Sequence, residues 1–201
     1  MQGKPATAAI PIHDIIKKRW SPRAFDPDKD VADKDLLALL EAARWAPSCY
    51  NDQPWRYVVC VKSSNKAAWQ AALACLTEKN QQWAGNAPVL MLVVAMDHFS
   101  HNGNPNRWAV YDAGAASLSL CLQAVALGLV THQMAGFDAG KASAAFGLPA
   151  DCTPLAMLAI GYQAAVDATD EGVNTAGQAV RSRAPLAERF YSGQWGAGFK
   201  P

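Results

Sequence analysis

The sequence predicts one domain of mixed helix and strand. Three observations carry that expectation. The runs "WRYVVCV" (55–61), "APVLMLVVAM" (87–96) and "LAMLAIGY" (155–162) are β-branched, aromatic or continuously apolar, as buried strands are. Apolar residues spaced three and four apart lie before and between them. The chain of 201 residues is long enough for one domain with its own core.

The elements follow in order. Residues 1–10 read as a loose arm. A short helix runs from Ile12 to Arg19 and stops at Ser21-Pro22, because a residue before proline avoids the helical region. A second helix starts near Asp33, puts Leu36, Leu39, Leu40 and Ala43 on one face, and ends by Pro47. After the strand Trp55–Val61, residues Asn65 to Gln82 read as one helix with a polar end. Pro88 opens a buried strand. "DHFSHNGNPNR" (97–107) is polar, holds Gly103 and Pro105, and is expected to be a mobile cover. A long, nearly all-apolar helix spans Trp108 to Leu127, with Asp112, Ser119 and Gln123 on one side, and Gly128 stops it. A short segment to Gly136 and a helix from Asp138 to Phe146 precede the last strand. From Gln163 the chain reads as an extension lying across another surface, such as a partner subunit.

Composition narrows the function. Net charge is +1 with no basic run, which gives nucleic-acid binding no electrostatic support. Charged residues are 17%, low enough to suggest surface hidden in a partner chain. Five cysteines without a C-x-x-C pair read as reduced thiols of a cytoplasmic protein. No h-region for a signal peptide opens the chain, and the greasiest stretch, Ala113 to Val130, is broken by Ser117, Ser119 and Gln123, so no membrane association is expected. His98 and His101 have no partner pattern for a metal.

The chemistry-bearing stretches are few. "KRWSPRAFD" (18–26) sets Arg19 and Arg23 on either side of Ser21. It is either a solvated helix end, whose cations complement the helix dipole, or an anion site with forked donors. "APSCYNDQPWRY" (46–57) places Ser48, Asn51 and Gln53 between two prolines. That is either a turn between helix and strand or a stiff loop addressing a polar, uncharged ligand. "RSR" gives Arg181 and Arg183. There is no G-x-S-x-G, no Walker loop and no G-x-G-x-x-G. Side-chain acid–base catalysis is not advertised, leaving a binding protein or an enzyme whose cofactor does the hard step.

Taken in order, "KRWSPRAFD", "LLEAARWAPSCYNDQPWRY", "NQQWAGNAPVLMLV", "YDAGAASLSLCLQAVALGLV", "GFDAGKASAAFGLP", "AIGY" and "RSRAPL" resemble the nitroreductase family of flavoproteins from about Ile12 to Leu186. The resemblance implies an α+β fold: a three-layer α/β/α subunit with a mostly antiparallel central sheet, in an intertwined homodimer with FMN at the interface. It implies that Arg19, Ser21 and Arg23, joined by Arg181 and Arg183, hold the FMN phosphate and ring edge. Pro47, Ser48 and Asn51 would come from the other subunit, with Cys49 and Gln53 close by. Asn80 would meet the polar edge of the ring, and Met134, Ala135 and Gly136 would line it, with Trp20, Trp83 and Gln133 adjoining.

It also implies hydride transfer from NADPH or NADH to electron-poor acceptors such as nitroaromatics or quinones by a ping-pong cycle, with no side-chain catalyst. Alternatives within the resemblance are a flavin enzyme acting on activated C=C, aldehyde or halogenated substrates, or a flavin-binding redox module without turnover. Trp20 stands where many relatives carry a second cation, Trp83 where some carry a lysine, and Ala135 where one well-populated branch carries an acidic residue. Loop 97–107 replaces a longer helical cover. A more open pocket is therefore expected.

Overall fold

The computed structural model describes residues 5–164 and 181–199. The helices are α1 (Asp14–Lys18), α2 (Asp33–Arg44), α3 (Lys66–Cys75), α4 (Glu78–Ala84), α5 (Ala109–Ala126) and α6 (Ala139–Phe146). The strands are β1 (Trp55–Val61), β2 (Val89–Met96), β3 (Val130–Met134) and β4 (Cys152–Gly161). They form one sheet in the order β1-β2-β4-β3, and every neighbouring pair is antiparallel.

The layering follows from β2. Successive side chains of a strand point to opposite faces, and β2 is apolar at every position, so both faces must be covered. Val89, Met91, Val93 and Ala95 face a core built with α2 and α5. Leu90, Leu92 and Val94 face a second core built with α3, α4 and α6. Helices on both sides of an antiparallel sheet give the expected α/β/α layers.

Two segments differ from the sequence reading. The stretch 65–82 is two helices rather than one. Leu76 leaves the helix in extended conformation and bridges Phe137, and the chain restarts at Thr77. Asn80 and Gln81 therefore lie inside α4 instead of ending a helix. The segment before Gly136 is strand β3, whose "VTHQM" is too short and too polar at His132 and Gln133 for a clear strand signal. Strand β4 also starts earlier than Leu155 and holds Pro154 in an interior strand. The register slips between Val93 and Val94, so Leu155 is bulged there, and a bulge tolerates a proline that cannot donate to the ladder.

The loop 97–107 is tied down rather than loose. Asp97 N–H donates to the Asp151 carbonyl at 3.0 Å, the Thr153 hydroxyl donates to the Asp97 carboxylate at 2.8 Å, and Asn106 N–H closes onto the Asp97 carbonyl at 2.7 Å. Among the described residues, α5 is long and apolar enough to cross a membrane, and its Ala113, Ala116, Leu120 and Ala124 are packed in the core with β2 and β4. Of the expected C-terminal extension, 165–180 lie outside the described residues. Residues 181–186 return to α1, as described below.

Leu158 lies at the centre of β4 and is fully buried. Leu158→Ala is expected to lower the unfolding free energy by about 2–5 kcal/mol, measured by denaturant titration.

Candidate functional site

The arginine segments converge. Arg181 donates from Nη1 to the Lys17 carbonyl at 3.0 Å and from Nη2 to the Arg19 carbonyl at 2.8 Å. It thus closes the C-terminal end of α1, where unpaired carbonyls await donors. Arg19 donates to the Ser21 hydroxyl at 3.2 Å. Arg19, Arg181 and Arg183 share the wall of a cavity of about 520 Å³, which Ile12, Ile16 and Leu186 line on the apolar side. Burial first, then the charges of Arg19 and Arg183, hold the Arg181 pKa below its ordinary value. Arg19 and Arg183 thus lie close enough for their charges to act on Arg181. Among the described residues no carboxylate is ion-paired with Arg19, Arg23 or Arg183.

Beside them, β3 and α4 build a stacked wall. His132 Nδ1 donates to the Pro22 carbonyl at 2.8 Å, and a carbonyl can only accept, so the ring proton sits on Nδ1. The His132 ring lies 4.6 Å from the Trp83 ring, and Trp83 stacks on Phe25 at 6.1 Å. Burial chiefly, and then Arg23 and Arg19, push the His132 pKa down, against the Pro22 carbonyl, which favours the charged ring. The Trp83 indole N–H is buried without a hydrogen-bond partner. One turn earlier on α4, Asn80 Nδ2 donates to the Gly136 carbonyl at 3.0 Å. A Cβ at Gly136 would stand 2.6 Å from Asn80 Nδ2 and 3.0 Å from Thr77 Oγ1, so only glycine lets α4 approach this close. Trp20 and Arg23 are half-buried, Met134 is buried, and Gln133 and Ala135 are exposed.

The remaining residues sit elsewhere. Pro47, Ser48, Cys49, Asn51 and Gln53 precede β1, the opposite edge strand. Their turn lies at the end of the sheet where Trp55 meets Ala95 and Met96 meets Cys152, whereas His132 and the Phe25–Gln163 bridge lie towards the other end. Three strand spacings, about 14 Å, separate the two edges. The two predicted halves of the site therefore occupy diagonal corners of the sheet.

The turn before β1 is strained. Tyr50, Asn51 and Gln53 have φ of 54, 55 and 50°, in the left-handed region. Side chains there cost about 1–2 kcal/mol each, less for asparagine. Ser48 Oγ accepts the Gln53 N–H at 3.0 Å, and the buried Asp112 of α5 accepts the Cys49 N–H at 3.0 Å. The Asp52 carboxylate accepts from Ser100 N at 2.8 Å, Ser100 Oγ at 2.7 Å and Asn106 Nδ2 at 3.3 Å. Burial works against its ionisation, and those donors overcome it, holding its pKa below the ordinary value.

His132, Asp52 and Asp112 are the residues for which sequence reasoning assigned no site role. A lone histidine carries no spacing signal, and the donors to Asp52 are 48 and 54 positions away.

The depressed His132 pKa has a stability consequence. The unfolded chain takes up a proton near the ordinary value of 6.5, while the folded ring resists it. Stability is therefore held above that pH and is lost as pH falls through 6.5 towards the folded value. Thermal melts of wild type and His132→Gln between pH 7.5 and about 5 are expected to converge as pH falls, the wild type losing more.

Comparison with known proteins places these features in context. Residues 16–162 match the Nitroreductase family. An oxidoreductase containing FMN, known from its crystal structure, is 34% identical, with a TM-score of 0.88 over 97% of this chain and 98% of the other. An NADH dehydrogenase of Thermus thermophilus is 31% identical over 193 residues, covering 78% of this chain and 90% of the relative. A putative NAD(P)H nitroreductase of Bacillus subtilis is 27% identical over 195 residues, covering 79% and 89%. With a match of this extent, on an antiparallel sheet sandwiched by helices and flanked by an arginine-lined cavity, the chain belongs to the nitroreductase family.

Proposed function

We propose that this protein is an NAD(P)H-dependent flavin oxidoreductase that binds FMN and passes hydride to small electron-poor acceptors such as nitroaromatics or quinones. The observation that carries the reading is the convergence of Arg19, Arg181 and Arg183, from segments 160 residues apart, on one cavity. Like charges brought together at one cavity suit a dianionic phosphate, to which guanidinium forks donate in pairs. The remaining donor set also fits FMN. The orphaned Trp83 N–H and the Asn80 amide offer hydrogen bonds beside the stacked His132–Trp83–Phe25 wall. When bound, FMN supplies the two-electron chemistry, and donor and acceptor use it in turn, a ping-pong cycle. The residues of this chain bind and orient. Arg19, Ser21, Arg23, Arg181 and Arg183 hold the phosphate and ring edge, with Trp20 and Trp83 beside them. Asn80 meets the ring's polar edge, and Gln133, Met134, Ala135 and Gly136 line its face.

A homodimer is part of the same reading. Pro47, Ser48, Cys49, Asn51 and Gln53 lie at the corner diagonal to the arginines, so one flavin gains both sets only if the second comes from another subunit. Exposed apolar side chains support such packing: Ile12 before α1 and Ile16 on it, Trp108, Tyr111 and Leu118 at the start and along the outside of α5, and Phe190 in the tail. The chain 1–201 forms a single domain in this arrangement, its tail crossing the partner. Five unpaired cysteines favour a reducing, cytoplasmic setting.

Purified protein is expected to carry flavin absorption that bleaches anaerobically with NADH or NADPH and returns on adding a nitroarene or quinone. Protein that takes up no FMN overturns the reading. Arg19→Ala and Arg183→Ala are each expected to weaken FMN affinity about 10- to 150-fold, from 1.5–3 kcal/mol per charged hydrogen bond, as measured by fluorescence titration.

A further inference from the structure

The loop 97–107 and the turn 48–53 are joined by one carboxylate. The loop is a preformed body. Phe99 N–H donates to the Asn104 carbonyl at 2.8 Å and Gly103 N–H to the Phe99 carbonyl at 2.9 Å. It is anchored to β4 through Asp97 and Thr153. Asn106, only 5% exposed, sits at its end and works in two directions. Its Oδ1 accepts the Trp108 N–H at 3.0 Å, at the start of α5, while its Nδ2 donates to Asp52. The α5 first turn reaches the same turn again through Asp112, which holds the Cys49 N–H. The Tyr50 ring lies against Phe99 and His101, at 5.9 and 5.4 Å.

The turn is therefore gripped near both ends, at Cys49 and at Asp52. Strain of this kind persists only where surrounding structure enforces it. Tyr50 and Asn51 lie between the two grips and Gln53 follows the second, all with positive φ. Without the grip at Asp52, the turn keeps the Cys49 anchor, the Ser48–Gln53 hydrogen bond and the Tyr50 ring contacts, but loses the carboxylate that ties it to Ser100 and Asn106, which lets Asn51 and Gln53 shift.

We propose that Asp52 is a positioning residue: its carboxylate locks loop 97–107 onto the strained turn and so sets the orientation of Asn51 and Gln53 towards the ligand. Asp52 itself touches neither cofactor nor acceptor. The role presupposes the flavin reading of Asn51 and Gln53, but the mechanical coupling between loop and turn does not. The loop thereby acts as a buttress for ligand placement.

Hydrogen exchange on the flavin-free protein tests the coupling. Asp52→Ala is expected to speed exchange about tenfold or more at both Ser100 and the 48–53 amides. Asp52→Asn, which retains Oδ1 as acceptor for both Ser100 donors, is expected to restore most of the protection. In turnover with a nitroarene, Asp52→Ala is expected to raise KM about five- to tenfold with kcat within about twofold of wild type. Faster exchange confined to the loop overturns the proposal, as does a fall in kcat with KM unchanged. A protein that binds no FMN yet shows joint loosening of loop and turn keeps the coupling and refutes the flavin reading instead.

Discussion

Strand β2 has no face it can show to water. Its residues from Val89 to Ala95 are at most 1% exposed, so each side of the sheet has to be roofed by helices. At roughly 25 cal/mol per Å² of apolar surface, that demand dominates the energetics of the subunit. It recruits α2 and α5 to one side and α3, α4 and α6 to the other. Those helices then place part of the candidate site. The first turn of α5 supplies Asp112, and α4 supplies Asn80 and Trp83. Strand β3, added at the edge beside β4, supplies His132. The site chemistry is a by-product of satisfying a single strand.

The arginine corner illustrates how a fold holds charges that repel. Arg181 is tethered by two donors to the end of α1, and Arg19 by its hydroxyl neighbour Ser21. Both tethers use backbone or hydroxyl oxygens rather than carboxylates. The side chains are thus kept in place beside the cavity by contacts that carry no charge of their own. Burial chiefly, with the charges of Arg23 and Arg19 added, disfavours a charged His132, and the ring packs against Trp83.

Much of the architecture was legible because its signals are local. The runs at 55–61, 87–96 and 155–162 are strands, and the heptad-like spacing in α2 and the greasy length of α5 read directly. What escaped depends on distant partners. Leu76 breaks the α3–α4 segment because Phe137 bridges it, and nothing in "CLTEKN" advertises this. Strand β3 owes its existence to the waiting edge of β4 more than to its own composition. In the candidate site, the arginines were marked out by the family resemblance, their residue types alone leaving a solvated helix end equally open, whereas Asp52 was not marked at all, since an aspartate before a strand ordinarily means only a turn. The anchors of loop 97–107 at Asp97 and Asn106 were hidden on the same ground: its polar composition describes exposure and not which distant groups it bonds.

The diagonal separation of the two ligand-facing corners has a genetic consequence. In the proposed dimer, each flavin draws one corner from each chain. A chain defective at Arg19 and a chain defective at Asn51 would, when paired, leave one site with both defects and the other with none. Two individually inactive alleles could then complement within a mixed dimer, recovering half of the sites. Loss-of-function variants in such a protein would sort into two complementation groups that map to opposite edges of one sheet.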